Sequence, residues 1–123
     1  MYKKLSIVVL ALSLGVVSAF AQAPQTRTAV SGQKYKIKGF IQVKENDNTF
    51  IVRDSVGVDT KVVIQPNASI KNNAFFGGDK YPVTALVRSL PIEIEGVGDG
   101  SGAVSVTKVR FEKSDLRTAQ AFD

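Results

Sequence analysis

The sequence predicts an all-β fold, a small closed barrel of five to six strands with one short helical turn. Three observations carry that expectation. Tyr35, Ile37, Ile41 and Val43 alternate with Lys34, Lys36, Lys38, Gln42 and Lys44. This period of two marks a long, half-buried strand with one wet face. Gly39 interrupts it where a core side chain is due, and a glycine inside a strand marks a bend or bulge of the kind a small barrel needs. The segments that follow come as two hairpin strands, an irregular stretch with helical spacing, and two more strands.

The first element is not part of the barrel. Met1-Tyr2-Lys3-Lys4 is basic, 5–17 is an apolar run broken only by Ser6, Ser13 and Gly15, and Ala19-Phe20-Ala21 has a small-x-small form. That order is a secretory signal peptide over residues 1–21. The run is short for a bilayer span, which needs about 20 apolar residues. Ala21-Gln22-Ala23 offers a second cleavage site, and with no Cys after the run, lipoprotein anchoring is excluded. The expected destination is the periplasm or the outer membrane, with no transmembrane span left after cleavage.

Cleavage after Ala21 leaves about 102 residues, enough for one modest core. It also lowers Lys plus Arg from 16 to about 14 against 11 acids, a net charge of about +3. That is far from the dense basic patch of a nucleic-acid binder, so no nucleic-acid partner is expected. Cys, His and Trp are absent. Stability must come from packing without disulfides.

Residues 22–33, rich in Ala, Gln, Thr and Ser, read as a flexible leader. The barrel is expected over 34–113. Its first strand is the alternating run, with Phe40 displaced onto the polar face. Glu45-Asn46-Asp47-Asn48 is a turn, since Asn and Asp tolerate left-handed backbone. Strand two, 49–54, puts Phe50 and Val52 on one face and Thr49, Ile51 and Arg53 on the other. Ser55-Val56-Gly57-Val58 turns the chain into strand three, 59–65, with Val62 and Ile64 inward. Pro66-Asn67 is expected to end that strand, and 68–71 to form a short fourth one.

The longest irregular connection, 72–80, contains Phe75-Phe76-Gly77-Gly78. Val83, Leu86 and Val87 then share helical spacing, a turn that would plug one end of the barrel. Ile92 and Ile94 point inward from the next strand, with Glu93 and Glu95 outward. Gly98-Asp99-Gly100-Ser101-Gly102 is a hairpin turn. In the last strand the apolar spacing slips between Val106 and Val109, predicting a bulge near Thr107-Lys108. Residues 114–123 read as a short helix or tail, with Ser114 as its N-cap and Asp115 at its positive end. This order of elements is that of an OB-like barrel. A plain β-sandwich or an SH3-like barrel is the alternative.

Residue types narrow the chemistry. Without His or Cys there is no Ser-His-Asp or Cys-His catalysis and no ordinary zinc or haem site. No catalytic residue, metal or cofactor is expected. Glu93 and Glu95, about 7 Å apart on one strand face, have the geometry of a carboxylate pair. An ordinary half-exposed strand has the same Ile-Glu-Ile-Glu pattern. The lysines of strand one read as a solvated, aggregation-resistant face, or alternatively as a docking stripe for an anionic envelope polymer. The candidate partner surface is Phe40, Arg53, Lys61, Phe75 and Phe76. Arg53 and Lys61, with Ile51 and Val63, occupy the face that OB-like barrels use for ligands. Phe75 and Phe76 are expected to fold under their loop as a satellite core, with an exposed patch as the alternative.

Three stretches carry a resemblance. Lys38-Gly39-Phe40-Ile41, Thr49-Phe50-Ile51-Val52-Arg53-Asp54 and Gly57-Val58-Asp59-Thr60-Lys61-Val62-Val63 resemble exported bacterial OB-like domains of unknown function. Ile92-Glu93-Ile94-Glu95-Gly96, Lys108-Val109-Arg110-Phe111 and Ser114-Asp115-Leu116-Arg117 extend it. Over about 39–120 the chain is similar to the N-terminal barrel of some proteins of the outer membrane protein A (OmpA) family. The resemblance implies that such relatives continue into a peptidoglycan-binding domain. This chain stops at Asp123, and no binding residues carry over. The expected function is a non-catalytic binding or structural module of the cell envelope, with an envelope protein or anionic envelope polymer as partner. The alternatives are an exported OB-fold stress-type protein binding a small or cationic ligand, and a small carboxylate-dependent hydrolase using Glu93 and Glu95.

Overall fold

A computed structural model describes residues 25–122. The signal peptide expected over 1–21, its cleavage sites and Asp123 lie outside the described residues. Six strands form one sheet: β1 (Gln25–Arg27), β2 (Lys34–Lys44), β3 (Thr49–Asp54), β4 (Val58–Asn72), β5 (Pro91–Gly98) and β6 (Val104–Phe111). Their order is β1-β4-β3-β2-β5-β6, and β4 also pairs with β6. That extra pairing closes five strands into a barrel and leaves β1 outside it. The closing pair is parallel, whereas the other barrel pairings are antiparallel. The all-β barrel expected from the sequence is the fold observed.

β2 serves two partners in succession. Lys34 to Phe40 pair with β5, and Gly39 to Lys44 pair with β3. The two pairings overlap at Gly39 and Phe40, so the strand must pass from one half of the barrel to the other there. A Cβ on Gly39 would collide with the backbone carbonyl of Arg53. Glycine is required at this position for close approach of two backbones.

One further irregularity follows in β2. Its register with β3 shifts between Ile41 and Val43. The bulge re-aims Val43, expected inward, onto the outer face, where it is 42% exposed. Ile37 and Ile41 stay buried, as does the apolar face of β3, Phe50 and Val52.

β4 corrects the expectation that Pro66-Asn67 ends a strand. It runs unbroken through both residues to Asn72. Proline is accommodated because the ladder to β6 is interrupted between Ile64 and Ser69, and β3 has already ended opposite Val63. No partner carbonyl is left waiting for the N–H that Pro66 lacks. The bulge expected in the last strand is present. Glu95 faces Lys108 and Gly96 faces Val106, leaving Thr107 unpaired.

The connection before β5 plugs the barrel. Val83–Ala85 form one 3-10 turn, Leu86 and Leu90 are fully buried, and Val83 and Val87 pack against the core. The plug is tied to β2 through Ser89 N–H to Ile41 O (2.8 Å) and Ile41 N–H to Leu90 O (3.0 Å). After β6, helix α1 (Lys113–Phe122) buries Leu116 and Ala119 against the same core. It starts one residue before Ser114, the expected cap. Among the described residues no helix is long and apolar enough to cross a membrane.

Part of the expected leader is structured. Gln25–Arg27 pair parallel with Val58 to Thr60, and Arg27 reaches Asp54 at 3.3 Å. Ala29 is buried. Tyr35 accepts a 2.7 Å hydrogen bond from Val30 N–H through its hydroxyl. A strand that adds to β4 satisfies backbone groups that would otherwise form an open edge.

Candidate binding surface

The outer face of β2, β3 and β4 holds three of the residues singled out in the sequence. Phe40 lies opposite Arg53, and Arg53 opposite Asp59. In the next row Val43, Ile51 and Lys61 face one another across the same strands. Period-two alternation puts both rows on one side of the sheet. Phe40 is 37% exposed, while Ile51 and Val63 are half-buried. Phe40, Val43 and Ile51 form an apolar strip, and Val63, opposite Thr49, lies beyond the ion pair of Lys61 and Glu45.

Ion pairs border that strip. Arg53 donates to Asp59 through Nε at 2.7 Å and Nη2 at 3.1 Å, a bidentate fork. That hydrogen bonding is the main cause of a guanidinium pKa above its ordinary value. Slight desolvation opposes it, and the charge of Asp59 adds to it. Lys61 Nζ lies 3.3 Å from Glu45 Oε1. The cations are thereby held at the margin of the strip.

Phe75 and Phe76 lie elsewhere, on the loop that leaves the end of β4. Their expected packing under the loop is corrected. They are 92% and 90% exposed, with their rings edge to face at 4.7 Å. The base of the loop accounts for this. Asn72 N–H donates to Asp79 O at 3.2 Å, and the buried Asn72 side chain accepts from Asp79 N–H. Gly78 passes so close to the Asn72 carbonyl that a Cβ would collide with it, and its φ is +80°. Beneath, Tyr81 already packs edge to face on the buried Phe111 at 5.0 Å. The contact with the core at the foot of the loop is thus made by Tyr81.

Glu93 and Glu95 belong to a third region, the outer face of β2, β5 and β6. Glu93 sits between Lys38 and Arg110, and Glu95 between Lys36 and Lys108. Each carboxylate is thus flanked by cations of both neighbouring strands, the ordinary cross-strand pairing of opposite charges. A shallow groove of about 280 Å³ adjoins this region, lined among others by Gly39, Asn73, Glu93, Arg110, Glu112 and Asp115.

Sequence reasoning missed Asp59, Glu45 and Val43 as parts of the strip. The signal for Asp59 is hairpin symmetry. Arg53 and Asp59 stand three residues to either side of Val56 in the turn, so opposite charges there should meet. The sequence gives no comparable sign of the bulge that turns Val43 outward.

Comparison with protein families, curated proteins and solved structures found no match to this chain.

Proposed function

We propose that the chain is a non-catalytic binding or structural module of the cell envelope, exported to the periplasm or held at the outer membrane. The observation that carries this is the apolar strip of Phe40, Val43 and Ile51, bordered by two ion pairs. An apolar centre with a charged rim is the anatomy of a protein–protein contact. The signal-peptide pattern of 1–21 supports the location. The flanking of Glu93 and Glu95 by cations supports a non-catalytic reading over a carboxylate hydrolase. Kinship with the N-terminal barrels of OmpA-family proteins is part of the same proposal.

Fractionation combined with site-specific photocrosslinking tests it. The full chain carries a photoreactive phenylalanine analogue at Phe40, or at the exposed Gln120 of α1 as control. The expected result is one discrete adduct from position 40 in the envelope fraction and none from 120. Cytoplasmic retention, or equal labelling from both positions, overturns the proposal.

The groove lined by Glu93, Glu112 and Asp115 together with Lys38 and Arg110, three carboxylates against two cations, favours a second reading, an exported stress-type barrel taking a small cationic ligand. A thermal-shift series with polyamines checks it. A real ligand raises the melting point as its concentration rises, and an unchanged melting point removes this reading.

A further inference from the structure

We propose that the Phe75-Phe76 loop, with the cationic rows at its base, docks the barrel on the surface of an anionic lipid bilayer. The rows come from the register of four strands. Lys38, Glu93, Arg110 and Lys71 stand side by side, as do Lys36, Glu95, Lys108 and Ser69. Lys71 also bridges to Lys80 across the root of the loop. Six cations therefore share this face with Glu93 and Glu95, while Glu112 and Asp115 line the groove that adjoins it. Among the described residues, Lys38, Lys71, Lys80, Lys108 and Arg110 have no carboxylate within 4.0 Å, and Lys36 holds Glu93 only loosely at 3.7 Å. Two of the acids near the loop are already engaged. Asp79 pairs with Lys113 at 3.6 Å, and Glu112 accepts from Asn73 at 3.0 Å.

The two phenyl rings project from the end of this face, beyond Lys71 and Lys80. Two adjacent, almost fully exposed aromatics on a stapled loop are costly in water and buried by nothing among the described residues. The occupant must supply apolar depth and negative charge together. A soluble polyanion offers only charge. A second copy of the same face brings like charge against like. An anionic bilayer offers acyl carbon for the rings and phosphates for the lysines, the two attractions that hold peripheral proteins at membranes. The surface is distinct from the β2-β3-β4 strip, so its failure leaves the preceding proposal standing.

The sequence contains no Trp, so Phe76→Trp installs a sole indole at the loop tip. The full chain is used, and the readout is the environment of that indole, because an apolar leader could bring the protein to vesicles by itself. With equimolar phosphatidylcholine and phosphatidylglycerol vesicles, the emission should shift to the blue and be quenched by brominated acyl chains. Vesicles of phosphatidylcholine alone should give no shift. Lys38→Glu combined with Lys108→Glu, both at exposed positions, should weaken the partition at least tenfold with unchanged circular dichroism. An unshifted indole on anionic vesicles overturns the proposal, including when the protein co-sediments through its leader. Binding to dextran sulfate without an indole shift assigns the face to a soluble polyanion and also overturns it. Indifference to the charge reversals does the same.

Discussion

Arg53 and Asp59 clasp each other across the β3–β4 hairpin, with both hydrogen bonds of the fork on the outer face. The pair does two things. It pins the register of the hairpin, since only this alignment puts the guanidinium opposite the carboxylate. It also keeps a cation beside Phe40 in one orientation. Asp59→Asn is expected to lower the urea midpoint slightly and leave the slope unchanged. The loss should shrink as salt is added, because charges that keep part of their surface in water are screened. Arg53→Lys should behave similarly, as a lysine cannot form the fork. A loss independent of salt would refute an ionic origin.

Gly39 is among the most demanding positions in the barrel, as is Gly96 against Ser105. Gly39→Ala drives a methyl group into the Arg53 carbonyl at the point where β2 changes partners. Overpacked sites typically lose about 1–3 kcal/mol, and rigid backbone on the other side places this one at the upper end. Equilibrium urea unfolding measures it. A change below about 0.5 kcal/mol, the usual limit for surface substitutions, would contradict the tight crossing.

Thr60 points the other way. It is fully buried, and its Oγ1 has no hydrogen-bond partner among the described residues. An unpaired buried hydroxyl costs about 1–3 kcal/mol. Thr60→Val keeps the shape and removes the hydroxyl, so it should stabilise the fold by about 1 kcal/mol. A lower melting temperature would reveal a hidden partner for the hydroxyl.

The β5–β6 turn should loosen in acid. The Asp99 carboxylate accepts from Ser101 Oγ at 2.7 Å and Ser101 N–H at 2.8 Å. These bonds, the hydroxyl first, hold its pKa below the ordinary 3.8. A depressed folded-state pKa gives stability that is fully present above the unfolded value. That stability is lost as the pH falls through the folded one. Side-chain chemical shifts of Asp99 should therefore titrate below the unfolded value, and Ser101→Ala should move the midpoint up. An unmoved midpoint would rule out the hydroxyl as the main cause.

Much of the barrel was legible because alternation and turn chemistry are local. Ile37, Phe50, Val62, Ile92 and Ile94 are inward where period two puts them, and the slip between Val106 and Val109 marks the bulge at Thr107. Pro66 misled because its meaning depends on neighbours. It ends a strand only if a partner needs its N–H, and here the ladder has a gap. Val43 was lost to a bulge without a glycine or proline to announce it. The candidate surface was half legible. Phe40, Arg53 and Lys61 follow from strand parity and hairpin symmetry. The exposure of Phe75 and Phe76 goes with the Asn72–Asp79 staple and with Tyr81 taking the contact on Phe111, which are tertiary facts.

The parallel closure of β4 on β6 sets the order of assembly. Val62 to Ile64 meet Val104 to Val106, and Ile70 meets Val109, so the barrel cannot shut before the last strand is available. Hairpins β2–β3 and β3–β4 are local, but the ring depends on pairings far apart in the chain. High contact order of this kind slows folding. A chain emerging from the ribosome stays open through most of its synthesis, which is compatible with the export proposed above.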